Sequence, residues 1–159
     1  MGHHNITSKK VSSSQVVMTQ LVLPSHTNSL DTVFGGTVMS WIDIAAAIAA
    51  QRHSNKAVVT ASIDQLNFIA PIKKGWVVNL KASVNYTSRT SMEVGVKVEA
   101  ENPVTSELFH TASAYLTFVA LGSDGKPSTV PTLDLESDVE RRRYEAAQKR
   151  RELRLSHRK

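Results

Sequence analysis

The stretch that decides the fold is residues 28–52, NSLDTVFGGTVMSWIDIAAAIAAQR. After Gly35-Gly36 most residues are apolar, and they occupy every side of the helix that their spacing predicts. A helix that is apolar all round must be buried, and this one is too short to span a bilayer. It therefore belongs in the core of a soluble domain, and we expect it to end near residues 52–55.

One carboxylate lies inside this apolar helix. Asp43 is the only ionisable residue between Asp31 and Arg52. A lone carboxylate in apolar surroundings costs several kcal/mol unless it is paired, hydrogen-bonded or protonated. Asp43 is therefore the first candidate for chemistry. The structural alternative is a carboxylate that only accepts a hydrogen bond from a nearby backbone group or from Ser40.

Composition limits the classes of protein to consider. The chain has 159 residues, of which 41% are hydrophobic, and this suits one domain with a proper core. It has no cysteine, which excludes disulfides and thiolate chemistry, and its N-terminus lacks the apolar run of a signal peptide. We therefore expect a cytoplasmic protein without a membrane partner. The histidines and carboxylates show no metal-ligand spacing, so no metal site is predicted.

The net charge of +5 comes from the end of the chain. Residues 138–159 carry nine Lys or Arg and four acids, so the rest of the chain is neutral. Helix formers predominate there and predict a basic helical tail over residues 135–159. Nine cations on a short helix could bind RNA weakly, but a neutral body argues against a nucleic-acid partner.

Patterns typical of strands occur in the sequence both before and after the helix. One run of β-branched and aliphatic residues, 16–23, precedes it, and four further segments follow at 58–69, 76–87, 92–99 and 108–120. Apolar and polar residues alternate along these later strands, as in strands with one buried face. The short connections predict antiparallel hairpins, because a parallel pair needs a long crossover.

The order strand, long helix and four strands predicts an α+β fold of the hotdog type. In this fold an antiparallel five-stranded sheet wraps around one long buried helix. We expect a disordered N-terminal arm over residues 1–14, the domain over residues 15–134 and the basic helix after it. One sheet cannot seal a helix that is apolar all round, so at least a dimer is expected, in which two sheets and two helices meet.

Several motifs occur in one order along residues 16–121. They are Asn28-Ser-Leu-Asp31-Thr-Val-Phe34-Gly35-Gly36, Met39-Ser-Trp41-Ile-Asp43, Val59-Thr-Ala-Ser-Ile-Asp64, Asn67-Phe68-Ile-Ala-Pro71 and Ser88-Arg89-Thr90-Ser91-Met92-Glu93-Val94. Together they resemble the signature of the hotdog acyl-CoA thioesterases, the family of the cytosolic acyl-CoA hydrolases. Asp31 departs from the family pattern, which usually has Gly there, and places a second carboxylate near the site.

The resemblance implies hydrolysis of acyl-CoA thioesters to free fatty acid and coenzyme A. Coenzyme A is part of the substrate, and no separate cofactor is expected. Asp43 is implied as base or nucleophile, and Asn28 of a partner subunit as the residue that orients water or the carbonyl. Gly36, at the open end of the helix, would bind the oxyanion. A trimer of dimers is also implied. The expected substrate-binding residues are Phe34, Gly35, Arg89, Thr90, Ser91, Arg52 and Lys56.

Several of these assignments have alternatives. Asn28 alone is a typical turn residue, and Arg52 and Lys56 could be solvated surface cations. His26, close to Asn28, allows a hotdog dehydratase or hydratase, in which a His and an Asp from facing subunits act on the acyl chain. A non-catalytic CoA-binding module is the remaining possibility.

Overall fold

The computed structural model describes residues 7–158, which form a five-stranded sheet, a two-stranded sheet and two long helices. The elements in chain order are β1 (Ser8–Lys10), β2 (Val16–Leu21), α1 (Gly35–Ser54), β3 (Ala57–Phe68), β4 (Val77–Thr87), β5 (Ser91–Glu101), β6 (Leu108–Leu121), β7 (Thr132–Asp134) and α2 (Asp138–Ser156). Short 3-10 helices at Val11–Ser13 and Pro24–His26 lie on either side of β2.

The large sheet has the strand order β2-β4-β5-β6-β3, with every neighbouring pair antiparallel. α1 joins the two edge strands β2 and β3, so it must cross the sheet. Ile42, Ala45 and Ala49 of α1 are fully buried against the sheet. The predicted five-stranded antiparallel sheet around one long helix is confirmed.

A β-bulge in β4 reverses which face of the sheet the side chains after it occupy. Val78 and Val84 lie on the face that α1 covers, as the alternation predicts. The register against β5 then shifts between Val84 and Tyr86. Because an extra residue reverses the alternation, Tyr86 faces away from α1, although the sequence pattern groups it with Val84. It contacts Tyr144 of α2 instead, with ring centroids 4.8 Å apart.

α2 is the helix that the sequence predicts for the basic tail. Its N-cap is Ser137, whose side chain accepts a hydrogen bond from the Glu140 amide. The helix packs on its own sheet: Ala147 is completely buried and Arg150 pairs with the buried Glu93. The charged helix is therefore part of the subunit's packing.

Residues 8–14 differ from the prediction of a disordered arm. β1 pairs in parallel with β7, and Val11 and Ser14 are buried. The partner strand lies more than a hundred residues away in the sequence, so the local composition gives no sign of this pairing. The prediction of disorder is wrong for residues 8–14, and residues 1–6 lie outside the described residues.

The sheet covers α1 on one side only. On the other side, Met39 and Ile44 are 40% and 49% exposed. Apolar side chains are also exposed on the edge strand β3, among them Ile63 and Phe68. Exposed apolar surface of this extent marks an interaction site. Neither α1 nor α2, the long helices of residues 7–158, is long and apolar enough to cross a membrane.

Candidate active site

The Asp43 carboxylate lies in the middle of α1 and contacts β3. Thr60 Oγ1 donates a 2.7 Å hydrogen bond to Asp43 Oδ1. Oδ2 has no hydrogen-bond partner in the described part of the chain. Asp43 is half-buried and Thr60 is exposed, so one carboxylate oxygen is fixed while the site stays open. A carboxylate held in this way can take a proton from water or attack a carbonyl carbon.

Thr60 is the residue that sequence reasoning missed. The sequence offers Ser40 or the backbone as donors to Asp43, whereas the observed donor comes from β3. A signal was available, because a lone carboxylate in an apolar helix needs a donor and Thr60 is a polar residue in the next element of the chain. The contact itself depends on how α1 crosses β3, which periodicity does not reveal.

The N-terminal turn of α1 is open to solvent. Phe34 occupies the N-cap position, and no side chain there accepts a hydrogen bond from the first turn. Phe34, Gly35 and Gly36 are all exposed, and a Cβ atom on Gly36 would meet nothing within 4 Å. Packing within the subunit therefore does not require glycine at position 36. The free N–H groups and the helix dipole can stabilise a negatively charged oxygen at this turn.

Asn28 lies in the loop that leads into α1. Its Oδ1 accepts hydrogen bonds from the amides of Leu30 at 2.9 Å and Thr32 at 3.3 Å, and its Nδ2 donates to Thr32 Oγ1 at 3.0 Å. The Phe34 amide donates to the His26 carbonyl at 3.0 Å and ties the loop to the start of the helix. Asn28 is thus a turn residue within its own chain, held in one unit with the first turn of α1.

Asp43 and the first turn of the same helix lie about two helical turns apart. Asp43 follows Gly36 by seven positions, which corresponds to about 10 Å along the helix axis at 1.5 Å per residue. Reacting groups must approach within about 3–3.5 Å. One chain therefore presents two half-sites, the Asn28 and Gly36 unit and the Asp43 and Thr60 pair.

Arg89, Thr90 and Ser91 are brought together in the turn between β4 and β5. The hydroxyls of Ser88 and Ser91 lie 2.6 Å apart, and the Ala120 amide donates to the Thr90 carbonyl at 2.9 Å. These bonds fix the backbone of the turn. The Arg89 side chain is exposed and makes no ion pair within residues 7–158.

Arg52 and Lys56 have partners within the subunit. Arg52 Nη1 donates to the Gln15 carbonyl at 2.9 Å. Lys56 Nζ donates to Ser128 Oγ at 2.8 Å and to the Thr129 carbonyl at 2.6 Å. A small concavity lies beside the β4–β5 turn, and neither cation is among the described residues that line it. The structure therefore does not join them to Arg89, and their contacts are those of structural cations.

His26 also has a structural role. Its Nδ1 accepts a hydrogen bond from the Leu23 amide at 3.0 Å, and its ring packs edge-on against Trp41 with centroids 5.1 Å apart. Because Nδ1 is engaged, only Nε2 of this ring could exchange a proton with a substrate. Across the described residues, no three His, Asp or Glu side chains form a group that could hold a metal ion.

An antiparallel five-stranded sheet around one long helix is the hotdog fold, and in this protein the helix carries the Asp43 carboxylate. The family model of the thioesterase superfamily matches residues 30–107. The uncharacterized acyl-CoA thioester hydrolase YkhA of Bacillus subtilis is 45% identical over 80% of this chain and 74% of its own length. The chain therefore belongs to the thioesterase superfamily, and the resemblance drawn from its motifs is confirmed.

Solved structures agree with this assignment. A hexameric acyl-CoA thioesterase has a TM-score of 0.92 and 43% identity, covering 96% of this chain and 97% of its own. An acyl-CoA hydrolase of Staphylococcus aureus, solved with butyryl coenzyme A and coenzyme A, has a TM-score of 0.89 and 41% identity over 95% and 92% of the two chains. Alanine variants of that enzyme at its Asp43, Thr60 and Asn28 have also been solved. This chain has the same residue types at the same numbers.

Proposed function

We propose that this protein hydrolyses acyl-CoA thioesters to the free acid and coenzyme A. The observation that carries the proposal is the Asp43 carboxylate, which Thr60 holds at 2.7 Å through Oδ1 while Oδ2 has no hydrogen-bond partner within residues 7–158. The substrate class is supported by relatives described as acyl-CoA hydrolases, one of them solved with butyryl coenzyme A. These descriptions favour hydrolysis over the dehydratase reaction that His26 would serve.

In the proposed reaction, Asp43 Oδ2 removes a proton from water or attacks the thioester carbonyl carbon itself. The carbonyl oxygen gains negative charge, which the N–H groups of the Gly36 turn stabilise. Asn28 orients the water or the carbonyl, since its amide offers both a donor and an acceptor. When Asp43 acts as base, water adds to the carbonyl carbon, the carbon–sulfur bond breaks, and the thiolate takes the proton that Asp43 removed. When Asp43 acts as nucleophile, the carbon–sulfur bond breaks as an anhydride forms on Asp43, and water then hydrolyses the anhydride and supplies the thiol's proton. Either route gives coenzyme A as the thiol and the acyl group as the acid. These side chains and backbone groups supply each step, and no resident cofactor is proposed.

The active site is proposed to form between two subunits. Asn28 and Gly36 of one subunit would meet Asp43 and Thr60 of another, because a single chain holds the two half-sites about 10 Å apart. The uncovered side of α1 and the edge strand β3 supply apolar surface for such a contact. A trimer of dimers is proposed, supported by the relative that is described as hexameric. A cytoplasmic location remains a prediction.

Thiol release from acyl-CoAs of different chain length tests the function. Asp43→Asn should lower hydrolysis by about 10²-fold to 10⁴-fold, the usual contribution of a positioned base. Asp124→Asn is the matched control, because it makes the same change in an exposed turn. No thiol release by the unmodified protein, or full activity in a folded Asp43→Asn variant, would contradict the proposal.

A mixing experiment tests the shared site. Asn28→Ala and Asp43→Asn should each be inactive alone. Random exchange of their subunits should restore about a quarter of the parent's activity, since half of the dimers are mixed and each mixed dimer has one intact site. Absence of recovery after verified exchange would show that both residues act within one subunit.

A further inference from the structure

The C-terminal end of α2 lies beside the turn between β4 and β5. The two elements enclose a concavity of about 280 Å³. Arg89, Thr90 and Ser91 line it on the turn side, and Arg151, Arg154 and Arg158 line it on the helix side. Its volume is at the lower end of ligand sites, so it suits one end of a ligand.

Four guanidinium groups thus line one small concavity, and no acid is among the described residues that line it. Arg154 is neutralised by Asp64, with Nη1 and Oδ2 2.7 Å apart. Arg89, Arg151 and Arg158 make no ion pair with any described residue. This leaves three cations without a counter-charge at one place on the surface.

The helix dipole does not explain this arrangement. Cations in the last turns of a helix are favourable on any side of it. Here Arg151 and Arg154 lie three positions apart on the helix and Arg158 lies in the turn just past its end. All three line the concavity with Arg89. Asp64 neutralises only Arg154, so the remaining guanidinium groups around the concavity repel one another. An anionic ligand would turn the repulsion into attraction.

α2 is fixed firmly enough to position these cations. Arg150, next to Arg151, makes two hydrogen bonds to the buried Glu93 carboxylate at 2.7 and 3.2 Å. Its guanidinium also lies 3.6 Å from the centroid of the Tyr115 ring. Glu93 belongs to β5, the strand that begins at the turn carrying Arg89. One ion pair therefore sets the helix and the turn relative to each other.

The concavity and the reactive carboxylate adjoin consecutive residues of the edge strand β3, on opposite faces of the sheet. A molecule that reaches both would pass around this edge. Thr60 holds Asp43, and Ala61, the next residue of the strand, lines the concavity. Coenzyme A is elongated, with its phosphates at one end and the thioester at the other. A single molecule therefore needs a cationic site near the reacting carbonyl and separate from it.

We propose that Arg151 of α2 and Arg158, in the turn just past its end, act together with Arg89 to bind the phosphate groups of coenzyme A. The proposal rests on the proposed function for its ligand. It gives the basic helix a part in substrate binding that the sequence does not show, because the sequence places these cations in an appended tail.

The test compares two double variants of the full chain. Arg151→Gln/Arg158→Gln removes both cations from the concavity. Arg142→Gln/Lys149→Gln is the matched control, because it removes the same charge from exposed positions of the same helix that do not line the concavity. Urea unfolding should show that both variants are folded.

Acyl-CoA and the corresponding acyl-pantetheine, which lacks the nucleotide, are the substrates. In the Arg151→Gln/Arg158→Gln variant, the KM for acyl-CoA should rise about tenfold or more, with kcat within about twofold, because charge-assisted phosphate contacts are made equally in ground and transition states. The KM for acyl-pantetheine should not change. The same KM as the control for acyl-CoA, or an equal loss with both substrates, would overturn the proposal.

Direct binding separates this proposal from the proposed function. Adenosine 3′,5′-bisphosphate, the nucleotide end of coenzyme A, should bind the parent and the control in calorimetry, and bind the Arg151→Gln/Arg158→Gln variant at least about tenfold more weakly. Weaker nucleotide binding in this variant alone would support the phosphate-binding site even if the parent protein hydrolysed no acyl-CoA. Unchanged nucleotide binding by the Arg151→Gln/Arg158→Gln variant would overturn the proposal. The proposal would also be overturned if this variant lost affinity only for single-stranded RNA.

Discussion

α1 and α2 are of similar length and lie on opposite faces of the same sheet, but different forces hold them. α1 is a 20-residue helix whose buried residues are Val, Ile, Ala and Trp, with His53 and Ser54 at its C-terminal end. α2 has 19 residues, and Ala147 is its only buried residue. It is attached through the Arg150 pair with Glu93, the Arg154 pair with Asp64 and the contact between Tyr144 and Tyr86.

The difference shows how each helix is tied to function. The apolar helix is fixed by burial, so it can hold one carboxylate, Asp43, in a constant position. The charged helix is fixed at a few points by directed ion pairs, which leaves its other cations for a ligand. Burial is non-directional, whereas a guanidinium–carboxylate pair sets an orientation. The first suits a reactive group in a core and the second suits a binding surface.

The same substitution in both helices tests this comparison and should give the largest effect. Ala49 and Ala147 are both completely buried. Ala49→Glu places a carboxylate in the apolar core and should cost about 4–5 kcal/mol or more, enough to prevent folding. Ala147→Glu should cost about 1–3 kcal/mol, because α2 has polar neighbours and can shift away from the sheet. Soluble yield and urea unfolding at equal subunit concentration measure both, and equal losses would contradict the comparison.

Breaking the main attachment of α2 should give the next largest effect. The Glu93 side chain is only 3% exposed, and Arg150 is its ion-pair partner. Arg150→Met keeps the length of the side chain but leaves a buried carboxylate unpaired, which costs about 3–5 kcal/mol. Urea unfolding measures the loss. The double variant Arg150→Met/Glu93→Gln should be more stable than Arg150→Met, since it no longer buries a charge.

Arg141→Met is the control for this prediction. Arg141 pairs with Asp138 on the same helix at 2.8 Å, but the two side chains are 52% and 99% exposed. Exposed pairs contribute about 0–1 kcal/mol. A loss for Arg150→Met as small as that for Arg141→Met would mean that the Glu93 pair does not hold the helix.

The order of elements in the domain could be predicted from the sequence, and Asp43 could be identified from it as the candidate catalytic residue. Long periodic segments such as α1 and β4 carry their own signals, and a charge in an apolar helix is visible without a structure. The family motifs added Asn28 and the Gly35-Gly36 turn, whose role between subunits remains a proposal.

Contacts between segments that are distant along the chain could not be predicted from the sequence. Thr60 reaches Asp43 through the crossing of α1 over β3. Tyr86 changes faces at a bulge that the alternating pattern does not announce. The tail has a hydrophilic composition, and only the fold shows that Arg150 meets a buried Glu93. Each depends on tertiary geometry, which local propensity does not determine.

The cap of α2 should have a smaller effect. Ser137 Oγ accepts a hydrogen bond from the Glu140 amide at 3.1 Å and donates one to Glu140 Oε2 at 3.2 Å. Ser137→Ala removes this cap and should cost about 1 kcal/mol. Hydrogen exchange should show faster opening of the first turn of α2, with α1 unchanged. Ser156→Ala, at the other end of α2, is the control, and equal exchange in the two variants would argue against a role for the cap.

The smallest expected effect is a pH dependence at the junction between the end of α1 and the segment before β7. His53 lies in the last turn of α1, and its Nε2 is 2.7 Å from the carbonyl of Pro131, just before β7. The ring is buried, and its Nδ1 has no partner among the described residues. Burial lowers the pKa of His53 below its ordinary value; the bond to Pro131 acts in the opposite direction, and the charge of Lys9 lowers the pKa further.

A lowered pKa means that the unfolded chain takes up a proton more readily than the folded one. Above about pH 6.5, the ordinary value, His53 is neutral in both states and stability is unaffected. As the pH falls below this value, the unfolded state is favoured, until the folded pKa is reached and the loss levels off. We expect the Tm to fall between pH 7.5 and 5.5, and less so in His53→Gln, which can still donate to Pro131. His157→Gln, which replaces an exposed histidine, should keep the parent's slope. The same slope in all three proteins would show that His53 does not control this junction.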